Sequence, residues 1–119
     1  MSDALFGALG GRPLELEPGD RVVREGPANM WRGWESVGGR LWLTERRLVF
    51  RSHAIAVQGG ETAWPLEQIV RAEPAMTMWI VPNGLSCVLR DGKDLRFVVT
   101  GRAEWARAIE RERSLRALG

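Results

Sequence analysis

Hydrophobic positions in the middle of the chain follow the two-residue period of β-strands. Leu41 and Leu43 alternate with their neighbours, and Leu48 and Phe50 do the same after a short polar break. Because successive side chains of a strand point to opposite faces, this pattern predicts two strands joined by a tight turn at Thr44-Glu45-Arg46. The two strands are expected at residues 35–44 and 47–53.

Five other segments show the same strand pattern, and they lie at residues 20–34, 62–66, 69–81, 85–90 and 95–99. Gly26-Pro27 is expected to interrupt the first of these segments, and Pro74 is expected to break the third. The pair Gly38-Gly39 predicts a bulge or a sharp bend inside the strand at 35–44. Seven short strands at regular spacing predict a sandwich or a barrel.

Two sequences in the second half of the chain are typical of turns. Pro82-Asn83-Gly84 is a strong turn signal, and Asp91-Gly92 suits a two-residue hairpin because both residues tolerate positive φ. In the strand that follows, Leu95, Phe97 and Val99 are expected to point inward.

After Gly101 the hydrophobic period changes from two residues to that of a helix. Trp105, Ala108, Ile109 and Glu112 follow one another at i, i+3, i+4 and i+7, and three of the four are apolar. This spacing predicts a helix that packs one stripe on the core and closes one open end of a barrel.

Three sequence elements resemble the GRAM domains, and they occur in the order found in that family. Residues 39–44 (Gly-Arg-Leu-Trp-Leu-Thr), followed by residues 47–50 (Arg-Leu-Val-Phe), resemble the family's central hairpin. Residues 64–69 (Trp-Pro-Leu-Glu-Gln-Ile) resemble its later apolar-Pro-Leu element. Phe97 and residues 101–105 resemble the last strand and the helix start of pleckstrin-homology-like domains.

The resemblance implies a mainly β, pleckstrin-homology-like fold: a seven-stranded, partly open barrel of two near-orthogonal antiparallel sheets with a C-terminal capping helix. The expected organisation is a lead-in segment at residues 1–19, the domain at residues 20–113 and a tail at residues 114–119. The resemblance further implies a binding module rather than an enzyme. Some relatives bind phosphoinositides or other anionic lipids and others bind proteins, so the fold alone does not select the ligand.

Arginines near the first two hairpins are candidate contacts for anionic lipid, and they are Arg24, Arg32, Arg40, Arg46 and Arg47. Glu35 opposes an anionic ligand at this position, and no second basic residue follows two positions after Arg40. The alternative is that these arginines are solvated residues at strand edges, where charge discourages pairing with other chains.

The tryptophans are candidates for a partner or self-association surface. If Leu41 and Leu43 point inward, Trp42 points outward, and Trp31 and Trp34 cannot both face the same side of a regular strand. We therefore expect Trp42 and one of Trp31 or Trp34 to form an exposed patch, since Trp and Arg are enriched at the energetic centres of interfaces. In the alternative interpretation the N-terminal segment covers them with the side chains of Leu5, Phe6, Leu9, Leu14 and Leu16.

Composition excludes several other classes of function. Among 119 residues the formal net charge is only +2, which is low for a dedicated nucleic-acid binder. The single histidine, His53, and the single cysteine, Cys87, are too few for a zinc site or an internal disulfide. Cys87 is expected to be a small core residue. No phosphate-binding loop or nucleophile elbow occurs, so we expect no enzymatic activity, no metal and no cofactor.

The function predicted from the sequence is protein–protein interaction or self-association, with peripheral binding of anionic lipid as the alternative. No apolar run approaches the roughly 20 residues that a membrane-spanning helix needs. The first nine residues contain no basic residue, unlike a secretory signal. We therefore expect a cytoplasmic protein, with attachment to a membrane surface as the alternative.

Overall fold

Seven antiparallel strands and a C-terminal helix make up the computed structural model, which describes residues 12–53, 60–78 and 80–119. The elements are β1 (Val22–Arg32), β2 (Glu35–Thr44), β3 (Arg47–Ser52), β4 (Glu61–Pro65), a 3-10 turn (Leu66–Gln68), β5 (Ile69–Thr77), β6 (Val81–Leu89), β7 (Asp94–Val99) and α1 (Arg102–Leu118). The helix includes residues 114–118, which the sequence analysis assigns to a tail.

The strands form one curled sheet in the order β4-β3-β2-β1-β7-β6-β5. Strand β1 pairs with β2 along its whole length and with β7 through Ala28–Met30, so the two predicted sheets are continuous. The sheet curls far enough for its two halves to meet, since the ring centroids of Phe50 and Phe97 are 6.0 Å apart. The predicted fold class, a mainly β half-barrel with a C-terminal helix, is confirmed.

The inner face of the barrel contains the hydrophobic core. The side chains predicted to point inward are buried there, and they include Leu41, Leu43, Leu48, Phe50, Cys87, Leu95, Phe97 and Val99. The predicted helix stripe is also confirmed, because Trp105 and Ile109 are buried in the same core and Ala108 packs against it.

Strand β5 is an edge strand whose backbone is contacted by side chains of the helix. Glu110 accepts a hydrogen bond from the Ala72 backbone N–H at 2.7 Å. Arg102 donates one to the Ala75 backbone carbonyl, also at 2.7 Å. The helix therefore bonds directly to the edge of the sheet in addition to packing over the core.

The two expected strand breaks at proline are wrong. Strand β1 runs through Gly26-Pro27, and β5 runs through Pro74. Pro27 lies just outside the segment of β1 that pairs with β7, and Pro74 lies on the edge strand β5. In both places the strand has a neighbour on one side only, so the missing N–H of proline is tolerated.

The expected turn at Pro82-Asn83-Gly84 is also wrong, because these residues belong to β6. The chain reverses before them, where the Ile80 N–H donates to the Thr77 carbonyl at 3.2 Å. Gly84 is required by close packing rather than by a turn, since a Cβ there would lie 2.9 Å from the Ala75 carbonyl oxygen.

Three other details of the hairpins differ from the sequence expectations. Gly38-Gly39 forms no bulge, because its pairing with β1 is continuous; a Cβ at Gly39 would lie 2.2 Å from the Arg51 carbonyl oxygen. The β1–β2 connection is the dipeptide Gly33-Trp34, which was assigned to a strand. The β6–β7 turn is at the predicted place and Gly92 has φ +93°, but the connection has four residues, 90–93.

Candidate functional site

A cavity of about 750 Å³ opens at one end of the barrel, and we call it the mouth cavity. The β1–β2 hairpin, strand β4 and the β6–β7 turn meet there because the sheet curls. Its floor is apolar and includes Met30, Trp64, Leu89 and Leu95, while its rim is polar and includes Arg32, Thr62, Gln68, Asp91 and Lys93. An apolar floor with a few polar groups is the usual character of a binding pocket.

The rim of the mouth cavity has mixed charge. Within the described parts of the chain, neither Arg32 nor Lys93 forms an ion pair, so both cationic groups are available to a ligand. Asp91 is negative, and its Oδ1 accepts a hydrogen bond from the Lys93 backbone N–H at 2.9 Å. A carboxylate beside two cations in the same cavity favours a mixed polar ligand over a highly charged anion.

The five candidate arginines do not converge on one site. Arg24 lies at the helix end of the barrel, with its guanidinium 5.2 Å from the centroid of the Trp105 ring. Arg40 pairs with Glu25 (Nε to Oε2, 3.2 Å). Of the five, only Arg32 lines the mouth cavity.

Arg46 in the β2–β3 turn and Arg47 directly after it lie beside other acidic groups. Arg47 donates to the Glu15 backbone carbonyl at 2.6 Å, and its Nε is 3.8 Å from Asp20 Oδ2. Arg46 lines a separate cavity of about 400 Å³ that also contains Glu17 and Glu67. Carboxylates therefore accompany most of the arginines that the sequence analysis proposes for lipid.

The expectation that Trp42 is exposed is wrong, although its predicted direction is correct. Trp42 lies on the outer face of the sheet, but it is only 1% exposed. It packs with Val49 and Leu14, and the Arg51 guanidinium lies 4.6 Å from the centroid of its ring. The alternative interpretation, cover by the N-terminal segment, is confirmed for Leu14; Leu16 is exposed, and Leu5, Phe6 and Leu9 lie outside the described residues.

Two guanidinium groups fix the covering segment, which consists of residues 12–16. Arg51 donates to the Arg12 backbone carbonyl at 2.7 Å and pairs with Glu61 at 2.9 Å. Arg47 makes the equivalent contact with Glu15, on the other side of Leu14. The Leu14 side chain is thereby held against the outer face of β2 and β3.

The other two candidate tryptophans lie at the β1–β2 hairpin. Trp34 occupies the turn and is 93% exposed. Trp31 is half-buried and lines the mouth cavity together with Arg32. The structure therefore places Trp31 and Trp34 beside the mouth cavity and separates both from Trp42.

An exposed apolar group at the β5–β6 hairpin was missed by the sequence analysis. We call it the apolar tip, and it consists of Met76, Met78, Ile80 and Val81, which are 53%, 73%, 78% and 37% exposed. The region was assigned to a strand, in which alternate residues would be buried. The missed signal is that apolar residues occupy both faces of that supposed strand and that residues 74–90 contain no Asp or Glu.

Reactive chemistry is not favoured at Cys87. Burial raises the pKa of the Cys87 thiol to about 12, and the nearby Asp94 and Glu110 add to the effect. The thiol is therefore neutral at physiological pH and is a poor nucleophile. Over residues 12–53, 60–78 and 80–119, no cluster of three or more His, Cys, Asp or Glu side chains could hold a metal ion.

The 17-residue α1 is too short and too polar to cross a bilayer, and the described residues contain no other helix that could.

Comparison with known proteins supports the fold but gives no family. No family model matches the chain, and no curated protein matches it. Solved structures that it resembles include the N-terminal PH domain of Vps36, with a TM-score of 0.68 and 12% identity over 88% of this chain and 87% of that one. The C-terminal domain of an unknown protein from Leishmania infantum gives 0.64 and 13%, covering 96% and 94%.

A third similar structure is the linker-DH/PH region of p115-RhoGEF, with a TM-score of 0.62 and 12% identity. The match covers 81% of this chain but only 30% of that one, so it concerns one part of a longer protein. At these identities the likeness shows the fold alone. The chain has the pleckstrin-homology-like fold.

Proposed function

We propose that this protein is a non-catalytic binding module of the GRAM type that binds a protein partner at the mouth end of its barrel. The observation that carries the proposal is Trp34, a large aromatic side chain 93% exposed on a tight turn next to a mixed-charge cavity. Exposed Trp beside Arg is typical of the residues that dominate binding energy at protein interfaces.

The mouth cavity supplies the second part of the proposed interface. Its apolar floor can accept a side chain of the partner, while Arg32, Asp91 and Lys93 provide both signs of charge at the rim. Complementary charge pairs of this kind select the partner and fix the register of binding. The combination of an anchor residue and a neighbouring pocket is the usual composition of an interface centre.

The GRAM assignment is part of the proposal and rests on the β2–β3 hairpin. In that hairpin Gly39 lies against the Arg51 backbone, and the alternating Leu41 and Leu43 enter the core. Packing therefore explains why a glycine and two apolar residues occupy these three positions of the hairpin, and this supports the proposed assignment.

The decisive test compares affinity capture with two single variants of the full chain. Trp34→Ala removes the exposed anchor, and Leu118→Ala removes an apolar side chain of similar exposure, 85%, at the end of the helix. We expect a specific partner to be retained by the wild-type protein and by Leu118→Ala, and lost with Trp34→Ala. Equal retention by all three proteins contradicts the proposed site.

Light scattering on the same three proteins separates a foreign partner from a second copy of the chain. A dimer present in the wild type and lost in Trp34→Ala identifies self-association through the mouth end. Salt-sensitive binding to phosphoinositide vesicles that requires Arg32 and Lys93 supports the lipid alternative instead.

A further inference from the structure

We propose that the apolar tip is a membrane-insertion element that holds the domain on an anionic bilayer. Met78 and Ile80 are 73% and 78% exposed at the hairpin between β5 and β6. This inference goes beyond the proposed protein-binding function, because it uses other residues at another end of the barrel. It also differs from the arginine-based lipid hypothesis, because the main contact is apolar insertion.

Hydrogen bonds tie the two strands of the hairpin to each other and to the helix. The Thr77 hydroxyl bonds to the Asn83 side chain across the hairpin, and the Ile80 N–H donates to the Thr77 carbonyl. Arg102 holds the Ala75 carbonyl from the helix. A preorganised protrusion loses little conformational freedom when it enters another phase.

The backbone at the apolar tip has an uncommon conformation at one exposed apolar residue. Met78 has φ +48° and is the one residue other than glycine with positive φ in the described parts of the chain. A residue with a Cβ adopts this conformation at an energetic cost, and such costs are concentrated at functional sites. Asn or Gly would suit the turn better, so the choice of Met favours a role for its side chain.

The size and shape of the apolar tip favour a bilayer over a protein as its partner. Its described residues contribute four exposed apolar side chains, whereas a stable protein interface uses roughly 20–30 residues on each side. A bilayer accepts a few inserted side chains without any complementary groove. Interfacial segments are bound in proportion to the apolar area they bury and to their attraction for anionic lipid.

Charge near the apolar tip suits an anionic surface. Residues 74–90 contain no carboxylate that would resist insertion. Arg102 lies at the base of the hairpin, and Arg24 lies close to Gly101 beside it. Within the described chain neither arginine is in an ion pair, although Glu104 is also near Gly101. Cationic side chains near an anionic bilayer strengthen attachment to it.

The strand register places the apolar tip and the mouth cavity at opposite ends of the sheet. Met30 in β1 pairs with Phe97, so the β1–β2 hairpin lies toward the start of β7. Gly84 in β6 pairs with Val98, so the β5–β6 hairpin lies toward the end of β7. A domain held on a bilayer by its apolar tip would therefore keep the mouth cavity free for a protein.

The test is co-sedimentation of the full chain with vesicles of phosphatidylcholine and of a phosphatidylcholine–phosphatidylserine mixture. The tip variant carries Met78→Asn and Ile80→Ser; Asn tolerates the positive φ, so the fold is preserved. The matched control carries Leu115→Ser and Leu118→Ser, which remove two exposed apolar side chains from the helix.

We expect the wild type and the control to bind the mixed vesicles, and the tip variant to bind at least about tenfold more weakly, since each inserted aliphatic side chain is worth about that factor. A cysteine-reactive environment-sensitive dye at Ile80→Cys should shift to the blue on the same vesicles. No wild-type binding at low salt, or equal loss in both variants, overturns the proposal. So does a protein complex or dimer that the tip variant loses in solution without vesicles.

Discussion

The two faces of the β2–β3 hairpin are buried to the same extent but by different means. On the inner face Leu41 and Phe50 are fully buried in a core cluster that also contains side chains from the other half of the barrel and from the helix. On the outer face Trp42 and Val49 are equally inaccessible, yet the main cover is one short segment that carries Leu14. Equal burial therefore does not mean equal contribution to stability.

The difference between the faces is one of redundancy. An inner side chain has neighbours from many elements, so its loss leaves a cavity that no single movement can fill. The outer cluster depends on Leu14 and on two guanidinium contacts to backbone carbonyls. We expect the inner face to control global unfolding and the outer face to open locally.

The largest effect is expected for Trp105→Ala, which removes the largest buried side chain that the helix contributes to the inner core. Truncation of a buried Trp costs about 3–5 kcal/mol, and we expect the free energy of unfolding to fall by that amount. Denaturant unfolding followed by circular dichroism measures it. The control Leu118→Ala should have almost no effect on the unfolding midpoint. A Trp105→Ala midpoint equal to that of the wild type would contradict the claim that the inner face controls global unfolding.

The second-largest loss of stability is expected at Gly39, which lies against the backbone of β3. A Cβ at Gly39 would lie 2.2 Å from the Arg51 carbonyl oxygen, whereas one at Gly38 would lie 3.6 Å from the Asn29 side chain. Overpacking of this kind costs about 3 kcal/mol, so Gly39→Ala should destabilise the fold strongly. Gly38→Ala is the matched control, and similar melting temperatures for both variants would contradict the close approach.

A smaller and local effect is expected for Leu14→Ala on the outer face. The covering segment can partly close the space left by the side chain. We therefore expect the free energy of unfolding to fall by about 1–2 kcal/mol, less than for most core leucines. Acrylamide quenching should also reveal one more accessible tryptophan, Trp42, before global unfolding. Leu16→Ala, in the same segment but exposed, is the control, and it should leave the quenching unchanged.

The smallest effect at neutral pH concerns Cys87 on the inner face of β6. Its pKa is raised from about 9 to about 12 by burial, so the folded state favours the neutral thiol. The stability from this group is fully present below pH 9 and is lost as the pH rises toward 12. Relative to Cys87→Ala, the wild type should become less stable only above pH 9. A thiol reagent that modifies the native protein at pH 8 as fast as the unfolded chain would contradict this burial.

The buried side chains of the inner face can be predicted from the sequence, because they follow the periods of strands and of a helix. Leu41, Leu43 and Phe97 were assigned from the two-residue period, and Trp105 and Ile109 from the helical one. The direction of Trp42 followed from the same rule. Its cover did not, because the covering segment has no period and is held by backbone contacts that composition does not encode.

The errors at the prolines have a topological cause. Whether Pro74 breaks a strand depends on whether that strand is at an edge, and the order of strands is not a local property. The mouth cavity could not be predicted for the same kind of reason. The sequence indicates Arg32 as a candidate, but the curl of the sheet decides whether it lies near Trp64 and Lys93. Sites built from three distant segments require the tertiary arrangement.

The hydrogen bonds from α1 to β5 affect whether another molecule can pair with this edge of the sheet. Glu110 and Arg102 are hydrogen-bonded to the N–H of Ala72 and the carbonyl of Ala75, near the middle of the edge strand β5. An incoming strand from another molecule would have to displace both before it could build a ladder there, and such exposed margins are a common starting point for aggregates. The helix thus obstructs the addition of a foreign strand at this edge of the sheet.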